Sequence, residues 1–205
     1  MHGKLSGADA ELLQRLTETI ENQVDAMKAM VNAFAEYAST PNLDLRQSDF
    51  NRLLSEVALL YEDVESDQRV ELDLQPGLPD IPVDVSRMRQ LVHNLIKNSL
   101  EAQRDLPRRR VRLITREVHV DNIRLLEMTA SDNGPGFPTE LMDRLFEPYV
   151  TSKPKGTGLG LAIVRRIVEE HGGEVKAANA TDGGALVIVR LPMPSNVIRL
   201  TGDAA

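Results

Sequence analysis

The chain has no cysteine and no tryptophan, and aromatic residues make up only 3% of its 205 positions. Without cysteine there is no disulfide framework, no thiolate metal site and no cysteine nucleophile. So few aromatics leave no stacking platform for single-stranded nucleic acid. No charge-free stretch approaches the roughly 18 apolar residues of a membrane span, so this chain is expected to make no membrane contact. Residues 1–10 lack the apolar core of a secretory signal. These absences predict a cytoplasmic chain. Positive charge is also in deficit: 24 lysines and arginines face 31 acidic residues, a formal charge of −7, with a pI near 5.2. A general nucleic-acid binder needs the opposite sign to displace counterions from phosphates. What is present is a globular composition, 41% hydrophobic and 27% charged, long enough for one domain plus an appendage.

The appendage is the first segment, read as one long helix over 12–38. Leu13, Leu16, Ile20, Val24, Met27, Val31 and Phe34 follow one another at spacings of 3, 4, 4, 3, 4 and 3, a coiled-coil-like seam. Ser39, Thr40 and Pro41 end it, because the residue before proline avoids helical geometry. A lone helix cannot bury its own seam. It packs either on its own domain or in a dimer-forming bundle, and the heptad regularity favours the bundle.

After Pro41 the pattern is that of one α/β unit. Ser48 is placed to cap a helix carrying Phe50, Leu53, Leu54, Val57, Leu60 and Tyr61. Val70, Leu72 and Leu74 alternate as a strand closed by Pro76-Gly77. Asp84 to Arg104 reads as a long helix with Met88, Leu91, Leu95, Ser99 and Ala102 inward. Arg110–Val120 and Ile123–Ser131 read as a hairpin around Asp121-Asn122. Asp132 to Gly156 is a Gly- and Pro-rich loop, Thr157 to His171 a helix stopped by Gly172-Gly173. Glu174–Ala178 and Ala185–Leu191 are strands joined by Thr181-Asp182-Gly183-Gly184. Residues after Pro194 read as a loose tail. Helices and strands in this order predict a two-layer α/β sandwich, a mixed sheet covered on one face by helices.

Three segments carry chemistry. Asn94 and Asn98 lie four apart in the second helix, hence on one face, with Gln90 and Glu101 extending it. Amide oxygens are hard ligands suited to Mg²⁺, which is bound by few protein groups plus phosphate oxygens and water. A merely solvated face remains the alternative. Lys97, on nearly the same face, can reach a phosphate. Asp132-Asn133-Gly134-Pro135-Gly136-Phe137 ends a strand with an aspartate able to accept from an exocyclic amine, and its glycines let backbone approach a flat ring; an ordinary tight turn is the alternative. Gly156-Thr157-Gly158-Leu159-Gly160-Leu161 opens directly into a helix, so its amides converge on a positive helix terminus suited to phosphate. Its spacing is not that of the Rossmann fingerprint, and it lacks the ending of a Walker loop. Lys153 and Lys155 add cations in front of it.

Joined in order, these elements resemble the ATP-binding domain of sensor histidine kinases. Asn94 to Ala102 resembles the asparagine box, Asp132 to Phe137 the first glycine box, Phe146-Glu147-Pro148-Tyr149 the phenylalanine box, and Gly156 to Leu161 the second glycine box. The run Glu147 to Gly160, with Thr151-Ser152-Lys153-Pro154-Lys155, is most similar to the nitrogen-regulation, NtrY-like kinases. The helix 12–38 resembles, more weakly, the second helix of that family's dimerisation domain.

The resemblance implies the Bergerat-type fold shared with gyrase, a heat-shock chaperone and MutL. It divides the chain into 1–41, a remnant of the dimerisation and phosphotransfer domain; 42–194, the ATP-binding domain; and 195–205, the tail. Asp132 would bind the adenine amino group, with Gly134 and Gly136 beside it. Asn94 and Asn98 would hold Mg²⁺, Asn94 and Lys97 would act in catalysis, and Lys153, Lys155, Gly156, Thr157, Gly158, Leu159, Gly160 and Leu161 would surround the triphosphate. Residues 137–155 would form a mobile lid, which in enzymes commonly gates chemistry. The implied reaction is transfer of the γ-phosphoryl group of Mg-ATP to a histidine, for relay to the aspartate of a response regulator receiver domain. The full-length protein could then be anchored in the inner membrane.

Two departures qualify this. A family acceptor is a histidine followed by an acid, whereas His2, His93, His119 and His171 are followed by Gly3, Asn94, Val120 and Gly172. The expectation is a fragment that begins after the acceptor and cannot phosphorylate itself. Ala185 stands where many relatives carry a hydroxyl that supports the adenine-binding aspartate, which puts some affinity in doubt. The rival readings are a non-catalytic module for dimerisation or response-regulator docking, and a stand-alone ATPase of the gyrase or MutL kind. The sister ATPases place a glutamate base where Asn94 stands, so the resemblance disfavours hydrolysis.

Overall fold

The computed structural model describes residues 12–21, 23–24, 27–28, 31, 43–63, 67–153 and 156–194. From Arg46 the chain runs through β1 (Arg46–Ser48), α1 (Phe50–Ala58), β2 (Gln68–Leu74), β3 (Ile81–Val83), α2 (Val85–Ala102), β4 (Arg109–Val120), β5 (Ile123–Asp132), α3 (Gly160–Glu170), β6 (Glu174–Asn179) and β7 (Ala185–Pro192). Short 3₁₀ turns occupy Leu59–Tyr61 and Thr139–Arg144.

Period-two alternation builds the sheet. Val111, Leu113 and Thr115 of β4, Leu126, Met128 and Ala130 of β5, and Val187, Val189 and Leu191 of β7 all point to one buried face. The strand order is β2-β4-β5-β7-β6, with β2 parallel to β4 and the other pairs antiparallel. Asp121 and Asn122 both adopt positive φ, 50° and 64°, the twist a two-residue hairpin between β4 and β5 requires. On the opposite face the register sets Arg116, Glu127, Arg190 and Glu174 side by side on four strands, with Arg190 Nε 2.8 Å from Glu127. Such surface pairs are each worth about 0–1 kcal/mol. Their alternating signs specify register more than they add stability.

The helices α1, α2 and α3 close over the apolar face. α2 buries Met88, Leu91, Val92, Leu95, Ile96 and Leu100, and α3 buries Ala162, Ile163, Val164, Ile167 and Val168. The two helices meet in opposite senses: Arg87 near the start of α2 faces Glu170 at the end of α3, 3.8 Å apart, and Asn98 adjoins Gly160. His171, at the end of α3, bridges two elements. Its Nε2 accepts the Asp84 backbone N–H at 3.0 Å, and its Nδ1 donates to the Ile167 carbonyl at 2.7 Å. The ring ties the end of α3 to the start of α2.

The sandwich expected from the element order is present, with local corrections. Asp49, not Ser48, caps α1, accepting from the Arg52 N–H, while Ser48 closes β1. The two-stranded ribbon β1-β3 had no sequence signal, being three residues per strand. α3 starts at Gly160 rather than Thr157. The described residues between 12 and 31 are helical, and Leu13, Leu16, Ile20, Val24, Met27 and Val31 are all more than half exposed. The remainder of the helix 12–38 and the tail 195–205 lie outside the described residues.

Asp84 caps α2, accepting from the Ser86 and Arg87 N–H groups at 3.0 and 3.1 Å. Burial raises its pKa, but the N–H groups of Arg87, Asp44 and Ser86 outweigh that, and the net direction is downward. A carboxyl depressed on folding adds stability above its unfolded pKa of about 3.9 and loses it as pH falls through the folded value. Asp84→Ala is therefore expected to cost about 1 kcal/mol at pH 7. The gap between variant and parent should narrow below about pH 4, which thermal melts at pH 7 and pH 3 will read.

Candidate functional site

The cleft is bounded by the end of β5, the polar face of α2 and the start of α3. At one end, Asp132 closes β5 with its side chain turned into the loop. Its Oδ1 accepts two backbone N–H groups, from Gly134 at 2.9 Å and from Ala185 at 3.1 Å. That leaves Oδ2 for a donor on a ligand. The second of these bonds comes from the backbone of Ala185 and needs no hydroxyl at that position.

The first glycine loop is built as tightly as its composition suggests. A Cβ on Gly134 would lie 2.9 Å from Asp132 Oδ1, and one on Gly136, at φ +79°, would lie 2.7 Å from Asn179 Oδ1. Asn179, at the end of β6, clamps the loop by accepting the Phe137 N–H at 2.7 Å and donating to its carbonyl at 2.9 Å. Gln103, fully buried, braces it from α2, donating to the Ser99 carbonyl and accepting the Arg110 N–H. Neither residue was singled out from sequence. An asparagine and a glutamine at element ends carry no local mark of a partner more than forty residues away or on another strand.

Asn94 and Asn98 are half-buried on the same face of α2, while Lys97 is exposed. Next to this face lies the N-terminus of α3. A Cβ on Gly160 would sit 2.9 Å from Asn98 Nδ2, so glycine there lets the two helices abut. Among the described α-helices, α1 and α2 carry aspartate caps, whereas α3 has no side-chain cap on its first N–H groups. Such unsatisfied N–H groups and the helix dipole favour an anion.

The second glycine loop is closed by a backbone hydrogen bond between two residues at positive φ. Tyr149 adopts φ +66° and donates its N–H to the Gly158 carbonyl at 3.0 Å. Gly158, at φ +67°, leaves room for only 2.5 Å between a Cβ and the Tyr149 carbonyl carbon. The Thr157 hydroxyl accepts the Leu159 N–H at 3.4 Å. The side chain of Leu159 is fully buried in the core, and Leu161 packs half-buried against it. At Leu159 only the backbone is available to a ligand. Lys153 reaches back to α2, its Nζ 2.9 Å from Glu101 Oε2 and 3.2 Å from the Asn98 carbonyl. Lys155 lies outside the described residues.

His93, beside Asn94, is occupied structurally: its Nδ1 is 2.9 Å from the Tyr61 hydroxyl, and the rings are 5.5 Å apart. Burial, with Arg89 nearby, holds its pKa below the ordinary histidine value.

This geometry is that of a known class. Residues 83–195, which contain the whole cleft, match the family described as histidine kinase-, DNA gyrase B-, and HSP90-like ATPase. The chain belongs to that family, in its sensor histidine kinase branch. The nitrogen regulation protein NtrY of Azorhizobium caulinodans is 33% identical over 180 residues, covering 85% of this chain and 23% of that protein. The sensory histidine kinase/phosphatase NtrB of Vibrio alginolyticus is 31% identical over 190 residues, covering 84% of this chain and 53% of that protein. Full-length ShkA in complex with AMPPNP superposes with a TM-score of 0.70 at 26% identity, over 93% of this chain and 40% of that one. The nucleotide-free catalytic domain of the histidine kinase ThkA does so with a TM-score of 0.64 at 26% identity, over 73% and 98%. The chain thus spans from under a quarter to about half the length of these curated relatives. Among the described residues, no helix is long and apolar enough to cross a membrane.

Proposed function

We propose that this chain is the ATP-binding part of a sensor histidine kinase, that it binds Mg-ATP in the cleft, and that it delivers the γ-phosphoryl group to a histidine for relay to a response regulator. The observation that carries the reading is the layout of the cleft. A carboxylate with one free oxygen stands at one end, and an uncapped helix N-terminus flanked by Asn98 and Lys153 stands at the other. Oδ2 of Asp132 accepts the exocyclic amine of adenine, with Gly134 and Gly136 beside the ring. The backbone of Gly156 to Leu161 and the first N–H groups of α3 receive the phosphates, with Lys153 and Lys155 supplying positive charge. Amide oxygens of Asn94 and Asn98 would hold Mg²⁺, which neutralises phosphate charge when bound. Lys97, exposed on the same helix, faces the γ-phosphoryl end.

Catalysis on this reading is positioning and charge neutralisation, as phosphoryl transfer generally demands. An asparagine amide cannot take a proton from water, so Asn94 supports transfer over hydrolysis. The described histidines make poor acceptors: His93 is bonded to Tyr61, His171 uses both ring nitrogens, and His119 lies on a strand. On this reading, with His2 followed by Gly3 rather than an acid, the chain does not phosphorylate itself. The exposed seam of the N-terminal helix supports its pairing with a second copy through residues 12–38. In the cell the chain is cytoplasmic, within a protein anchored in the inner membrane.

Calorimetric titration with ATP tests the core of this. Binding at micromolar concentrations that tightens when Mg²⁺ is added is the expected result, and incubation with γ-labelled ATP should leave no acid-labile label on the chain. Absence of binding by the folded protein overturns the nucleotide reading. Label on a histidine overturns the claim that the acceptor lies elsewhere.

A further inference from the structure

Lys153 is paired with the end of α2. Its ammonium lies 2.9 Å from Glu101 Oε2 and 3.2 Å from the carbonyl of Asn98. Both acceptors belong to the end of α2, where helix carbonyls carry partial negative charge. The backbone of the segment that presents Lys153 is closed in two places: Tyr149 donates to Gly158 at its base, and Gly156 donates to the Lys153 carbonyl near its tip. The Lys153 N–H is further held by the Thr151 hydroxyl at 3.0 Å. The loop is thus tied at its base and pinned at its tip to α2.

Asn98 links this pin to the anion site. Its backbone carbonyl takes the Lys153 ammonium, while its side chain adjoins Gly160 at the uncapped start of α3. A phosphate seated on those first N–H groups would adjoin Asn98, whose carbonyl holds the same ammonium. Glu101, one turn beyond Asn98, is then a second anion bidding for a single lysine. Both groups are partly solvated, with side-chain exposures of 33% for Lys153 and 44% for Glu101, so the pin is weak enough to be displaced.

We propose that Glu101 is a built-in competitor for the phosphates of the nucleotide. It holds Lys153 on α2 in the nucleotide-free protein and yields it when phosphate binds, so that it sets the affinity of the site. This rests on the nucleotide reading above.

The test is a double-mutant cycle on the full chain, with one arm that uses no nucleotide. Glu101→Gln is expected to bind ATP and ADP about two- to five-fold more tightly, the factor that a partly exposed ion pair supplies, and to bind adenosine unchanged. In a Lys153→Ala background the same substitution should change ATP affinity by less than about 1.5-fold, since no ammonium remains to compete for. Without nucleotide, Glu101→Gln should speed hydrogen exchange of the 149–158 amides. An equal gain in the Lys153→Ala background means that Glu101 merely repels phosphate through space, which overturns the competition. Weaker ATP binding by Glu101→Gln overturns it in the other direction. Unchanged exchange removes the pin itself. Faster exchange in a chain that binds no nucleotide leaves the pin standing and fells the nucleotide reading and the competition together.

Discussion

Asp132→Asn is expected to weaken ATP binding about 30- to 100-fold, the cost of losing a hydrogen bond to a charged group in a partly buried site, with little change in melting temperature. The geometry explains why so small a change acts so strongly. Oδ1 of Asp132 already accepts N–H groups from Gly134 and Ala185. An asparagine keeps those two bonds only by presenting its oxygen to them, which turns its NH₂ toward the ligand. A donor then faces the donor amine of adenine. The same amide suits a purine that carries a carbonyl at position 6, so the variant should shift the ratio of ATP to inosine triphosphate binding toward inosine. Calorimetry with both nucleotides, alongside thermal melts, reads this directly. Unchanged ATP affinity would remove Asp132 from the ring-binding role.

The second large effect concerns two adjacent glycines that look alike in sequence. Gly183 and Gly184 both have positive φ, 95° and 91°. A Cβ on Gly183 meets nothing within 4 Å, whereas one on Gly184 would overlap the carbonyl oxygen of Asp132. Gly183→Ala therefore incurs only the backbone penalty, about 1 kcal/mol. Gly184→Ala adds a clash with backbone that cannot move without carrying Asp132 along, for a total of about 2–4 kcal/mol. For a chain of this size those costs correspond to melting-temperature losses of about 2–4 °C and about 5–15 °C respectively. Gly184→Ala should also weaken ATP binding, because it displaces the carboxylate and the neighbouring Ala185 N–H together. Paired melts decide it: equal losses for the two variants would mean that the close approach at Gly184 does not exist.

Much of the fold was legible because its signals are local. The seam of α2 repeats every three to four residues, β4 and β5 alternate in period two around Asp121-Asn122, and both glycine loops adjoin recognisable elements. Where the reading erred, the competing signals lay side by side or were short. Ser48 and Asp49 are both good caps, and only the path of β1 decides that Asp49 takes the Arg52 N–H. Three-residue strands such as β1 and β3 are too short for a period to show. The part His171 plays as a strut depends on the Asp84 N–H, 87 residues away in the chain.

The candidate site divides the same way. The residue types that suit phosphate, adenine and Mg²⁺ were readable from composition and spacing: Asn94 and Asn98 four apart, Asp132 before two glycines, and alternate glycines opening α3. Their supports were not. Ala185 serves Asp132 through its backbone, which side-chain identity cannot advertise. Asn179 reaches across to Phe137 in the first glycine loop, and Gln103 to the Arg110 N–H at the start of β4. Lys153, readable as a cation for phosphate, is ion-paired with Glu101.

By itself, then, the sequence determined which segments are helix, strand or glycine loop and which residues could touch a nucleotide, since periodicity, turn chemistry and functional-group type are properties of neighbours in the chain. Only the tertiary structure decided who supports whom. The bonds from Ala185 to Asp132, Asn179 to Phe137, Lys153 to Glu101 and His171 to Asp84 span 42 to 87 residues, and such pairings exist only once α2 and α3 have closed over the sheet.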